Sequence, residues 1–110
     1  MKIAVSTLLL SLLCATTPTF AADEGTAALE AIGQINGTAL ACKQPALVSR
    51  ARNSVATTAP KTRANGETFE NATNAAFLAQ GKAKCPEAAT LANQLGAAEQ
   101  RLQAVFKSAQ

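Results

Sequence analysis

The stretch Phe69-Glu70-Asn71-Ala72-Thr73-Asn74-Ala75-Ala76-Phe77-Leu78-Ala79-Gln80-Gly81-Lys82-Ala83-Lys84-Cys85-Pro86 decides how this chain is read. Phe69, Ala72, Thr73, Ala76, Phe77 and Gln80 recur every three or four residues, which is one face of a helix. Glu67 and Glu70 stand towards its start, and Lys82 and Lys84 follow its end. That order of charge complements the helix dipole. Gly81 is a stop signal. Phe77 sits centrally on the stripe and is expected in the core, where Phe→Ala costs about 3–5 kcal/mol. Pro86-Glu87 suits the first turn of the next helix.

Downstream, Leu91, Leu95, Ala98, Leu102 and Val105 form the apolar stripe of that helix, with Phe106 beside it and Lys107 near its end. Upstream, Lys61 to Gly66 reads as a polar connector with an Asn-Gly turn signal. Before it lies a helix from Pro45 to just short of Pro60, with Leu47, Val48, Ala51 and Val55 on its apolar face. The first helix is expected over Asp23 to Ala41, capped by Asp23, with Leu29, Ile32, Asn36 and Leu40 at helical spacing. Gly33 and Gly37 interrupt it. They mark either a kink or a site where a neighbouring helix comes close.

No strand pattern is visible, and alanine is abundant, the best helix former. The expected fold is all-α, a four-helix up-down-up-down bundle. In that topology the end of the first helix and the start of the fourth share a pole. Cys42 closes the one and Cys85 opens the other, so a Cys42–Cys85 disulfide is expected. The loop it closes is worth about 4 kcal/mol in the chain-entropy model.

The N-terminus carries Lys2, an apolar run from Ile3 to Cys14, and small residues Thr19 and Ala21 where a signal peptidase reads. Residues 1–21 are therefore expected to be a signal peptide and 22–110 one helical domain, periplasmic or secreted. The run is too short to span a bilayer, which takes about 20 residues. The mature part holds no integral membrane segment. Cys14 leaves with the signal, and Leu13 before it does not suit a lipid-modified cysteine. An even pair of cysteines then remains in an oxidising compartment. A domain this small has a marginal core, which such a bridge supplements.

The chain has no His, Trp or Tyr, and its formal charge of +3 falls by one with Lys2. So small a charge does not point to nucleic acid or an anionic membrane. No nucleophile–base–orienter set can be assembled, so no enzyme is expected. Glu67 and Glu70, three apart, are read as solvated carboxylates rather than an acid/base pair. Two separated cysteines without His make no zinc site, and no metal or cofactor is implied. Arg50, Arg52, Lys61 and Arg63, with Lys43, fall in one window and are the candidate partner-binding residues. No aromatic is interleaved among them, which argues against single-stranded nucleic acid. Asn36-Gly37-Thr38 and Asn71-Ala72-Thr73 match the glycosylation pattern, but the chain reads as bacterial, where that pattern carries no meaning.

An apolar helix ending in a cysteine (Leu29 to Cys42), a helix with paired basic residues (Arg50, Arg52) and a later Lys-x-Lys-Cys (Lys82 to Cys85) together resemble the small helical pilotins of type II secretion. The chain is also similar to acid-activated periplasmic chaperones, which are small, helical and closed by one disulfide. It departs from them in having Leu40-Ala41 before Cys42 in place of Trp-x. The first likeness implies an adaptor or assembly factor that binds a protein partner. The second implies a stress chaperone.

Overall fold

The computed structural model describes residues 21–108, with side chains from Glu24 to Lys107. The expected signal peptide and Cys14 lie outside the described residues. The described chain is all-helical: α1 (Ala21–Ala41), α2 (Pro45–Thr58), α3 (Arg63–Gln80) and α4 (Ala88–Ser108). No described helix is long and apolar enough to cross a membrane.

The helix ends follow local chemistry. Pro45 starts α2, and Ala59 before Pro60 is extended, at ψ 143°. Gly81 ends α3 at φ 44°. α1 ends at a lysine in the left-handed region, Lys43 at φ 56°. There the Gln44 amide donates to Ala39 O at 2.9 Å and the Lys43 amide to Leu40 O at 3.3 Å. α1 begins at Ala21, so Asp23 lies within the helical span rather than at its cap.

One expected loop is helix. Asn65-Gly66 belongs to α3, which starts at Arg63, not to a turn. The Thr62 side chain caps the new start by accepting from the Asn65 amide at 3.1 Å, and Asn65 Nδ2 donates to Pro60 O at 2.9 Å. Two hydrogen bonds at the N-terminus outweigh the weak turn preference of a lone Asn-Gly. Glu67 and Glu70 accordingly fall beyond the first turn.

α1 is the hub. It packs on all three other helices, most extensively on α3; α2 also packs on α4, while α3 packs its backbone on α1 alone. The core is built from Leu29 and Ile32 of α1, Ala51 of α2, Phe69 of α3, and Leu95, Ala98 and Leu102 of α4. Leu91 is also buried. The stripe expected of α4 is thus the observed one.

Gly33 and Gly37 do not break α1. Both are buried against α3. A Cβ on Gly37 would lie 2.1 Å from Thr73 O, and one on Gly33 2.7 Å from the Ala72 Cβ. Only glycine lets the two backbones come this near. In the same seam Asn36, fully buried, donates from Nδ2 to Thr73 Oγ1 at 3.1 Å, and the Thr73 hydroxyl in turn donates to Phe69 O at 2.9 Å. Of the two sequence matches to the glycosylation pattern, Asn36 is buried and closed to any glycan, while Asn71 is exposed and only its Thr73 lies in the seam.

Cys42 and Cys85 stand at disulfide distance, Sγ to Sγ 2.07 Å, with Cα atoms 5.8 Å apart.

Candidate functional site

The expected basic window is largely occupied with intramolecular work. Arg50 of α2 donates through Nε, at 2.9 Å, and Nη2 to Glu99 Oε1 of α4. Ser54 donates to the other oxygen, Glu99 Oε2. Partial burial by itself raises the Glu99 pKa. The hydrogen bonds from Arg50 and Ser54 and the Arg50 charge outweigh it, and the carboxyl is held below its ordinary value. Arg52 donates to Glu70 at 2.8 Å and lies 5.8 Å over the Phe69 ring, bridging α2 to α3. Arg63 pairs with Glu67 one turn on, at 2.9 Å. Lys61 is exposed beside a cleft lined by Val55, Ala59 and Pro60. Glu67 and Glu70 thus sit in separate ion pairs at the surface and do not face a common point.

A second surface lies at the pole around the Cys42–Cys85 pair, where the connection from α1 to α2 meets the connection from α3 to α4. Large apolar side chains are uncovered there. Leu40 is 38% exposed, Phe77 46% and Leu78 76%. Leu40 continues the α1 stripe that carries Gly33 and Gly37, and the Phe77 amide lies against Gly37. The expectation that Phe77 is a core residue is therefore corrected. The backbone of α3 packs on α1 alone, so its stripe outruns the cover that a second closely packed helix would give. Ala39, Leu40, Pro45 and Val48 line a cleft of about 370 Å³ with Lys43 at its edge.

The segment from Gly81 to Glu87 closes the pole as a strap. Gln80 Nε2 donates to Ala83 O at 3.1 Å and Lys84 O at 3.2 Å, and Cys85 ties the strap to Cys42. Lys43, Lys82 and Lys84 are all exposed, and none of them meets a carboxylate among the described residues. Sequence periodicity missed this grouping. The signal was there in the lysines that flank the two cysteines. Among the described residues no three of His, Cys, Asp and Glu come together as a metal site requires.

Comparison with protein-family models, curated proteins and solved structures finds no match to this chain. The likeness to pilotins and to acid-activated chaperones rests on the motifs quoted above. The surface itself has to carry the functional reading.

Proposed function

We propose that this is a small exported, non-enzymatic protein that binds a protein partner as an adaptor or assembly factor. The observation that carries this reading is the uncovered Leu40, which lines a concave apolar cleft, together with the uncovered Phe77 and Leu78 at the end of α3. Exposed apolar clusters of this kind mark interaction sites. Export through residues 1–21 is supported by the charged start, the short apolar run and the paired cysteines. An up-down-up-down course is supported by the side-chain pairs. Asn36 meets Thr73, and Gly37 meets the later Phe77, so contacts advance together along α1 and α3. Gly25 lies against Phe106, while Cys42 meets Cys85, so α4 runs against α1. The absence of His and of any activated nucleophile in the sequence supports a binding role over catalysis.

In-cell crosslinking of the exported protein, followed by mapping of the linked residues, tests the reading. A reproducible protein partner linked at a defined surface supports it. Suppression of client aggregation that appears only at about pH 2–3, where carboxylates are protonated, and no stable partner at neutral pH, would replace it with the stress-chaperone reading.

A further inference from the structure

We infer that the disulfide pole docks an acidic, apolar segment of a protein partner. This rests on the adaptor reading above and specifies where, and by what chemistry, the partner is held.

Cations flank the bridge on both sides. Lys43 directly follows Cys42, and Lys84 directly precedes Cys85. The bridged Cα atoms are 5.8 Å apart. Each peptide step adds at most 3.8 Å, so the two lysine Cα atoms lie within about 13 Å of one another. Lys82 sits two residues back on the same short strap. Arg50, Arg52 and Arg63 are matched to carboxylates, whereas Lys43, Lys82 and Lys84 are gathered here and meet none among the described residues. The only acid of the strap is Glu87. Like charges held this close favour an incoming anion, and they steer it on approach.

Lys43 occupies the left-handed position that ends α1, at φ 56°. Glycine takes that conformation without strain and is the usual residue there. A strained non-glycine residue at a surface is a pointer to function. The strain at Lys43 places an ammonium at the edge of the apolar cleft.

The apolar cleft favours a protein segment over a lipid surface. The cleft between Leu40, Pro45 and Val48 is concave and takes a protruding side chain, with Phe77 and Leu78 uncovered on the same pole. The occupant is a stretch in which Leu or Phe side chains alternate with Asp or Glu. The cationic rim rejects the same stretch carrying Lys.

The exported protein, purified with its disulfide intact, is titrated with a labelled synthetic peptide rich in Leu, Phe and Glu, and with a counterpart carrying Lys for Glu. The acidic peptide is expected to bind at least about tenfold more tightly, and more weakly as salt rises. Combined Lys43→Gln, Lys82→Gln and Lys84→Gln is expected to lower its affinity by at least about tenfold. Lys43→Gly, which relieves the strained helix end, is expected to weaken binding while the protein stays folded. Equal affinity for the two peptides, or unchanged affinity in the triple variant, overturns the proposal. So does sedimentation with phosphatidylglycerol vesicles in the absence of peptide binding. Crosslinks that map to Arg50, Arg52, Lys61 and Arg63 instead would overturn this site and leave the adaptor reading standing.

Discussion

Gly37 and Gly66 are both helical glycines, and their surroundings give them opposite roles. Gly37 has Thr73 O where a Cβ would go, while Gly66 has nothing within 4 Å. Gly37→Ala must push α3 off α1 and should destabilise by about 3 kcal/mol. Gly66→Ala adds helix propensity to an open position and should stabilise by about 1 kcal/mol. Urea denaturation of the two variants, followed by circular dichroism, checks both signs. Lys43 is the third residue whose backbone decides its energetics. Lys43→Gly should raise stability by about 1 kcal/mol in the same assay, because a side chain at φ 56° costs that much. Asn36 belongs to this scale as well. Its Oδ1 is buried with no hydrogen-bond partner, while its Nδ2 reaches Thr73. A polar residue in a helix seam favours one register, because sliding the helices would strand the donor too.

At the scale of the element, α3 is the helix whose covering differs most along its length. Its first half holds Phe69, 4% exposed, and Thr73, 2% exposed, against α1. Its last turns present Phe77 and Leu78 outward. Phe69→Ala should cost about 3–5 kcal/mol and Phe77→Ala less than about 1 kcal/mol. Equal losses in chemical denaturation would mean that the end of α3 is as well packed as its middle. The stripe of α3 was legible in its spacing, and so was the stripe of α4. What spacing does not carry is the length of the partner laid against a stripe. Phe69 and Phe77 lie on the same stripe, but only Phe69 joins the buried core. The early start of α3 escaped for a different reason. Asn-Gly signals a turn locally, and the Thr62 cap that overrides it becomes visible only once the chain before it is placed.

On the scale of the whole molecule, the Cys42–Cys85 bridge and the Arg50–Ser54–Glu99 cluster are among the long-range ties between the helices. Thiol labelling of the denatured, non-reduced protein should detect no free thiol at Cys42 or Cys85. Reduction should cost about 4 kcal/mol, because the open chain regains the entropy of a long loop. The Glu99 cluster makes part of the stability depend on acid. Its folded pKa lies below the unfolded value, so its contribution is present above the ordinary carboxylate range of about 4.3. It is lost as pH falls through the lowered folded value. Glu99→Gln should therefore be less stable than the parent at neutral pH, and the gap should narrow towards about pH 3, as followed by urea midpoints. A constant gap would assign the cluster no role in acid sensitivity. By itself the sequence determined the helical class, the apolar faces of α2 and α4, and the pairing of Cys42 with Cys85. Each of these follows from periodicity or from which residues close and open neighbouring helices. The tertiary structure alone decided that Gly33 and Gly37 are contact points rather than breaks, that Arg50, Arg52 and Arg63 are tied to carboxylates of the same chain, and that Leu40 and Phe77 are left uncovered. Those outcomes depend on what a neighbouring element places opposite a residue, and a stripe of spacing holds no information about what lies across from it.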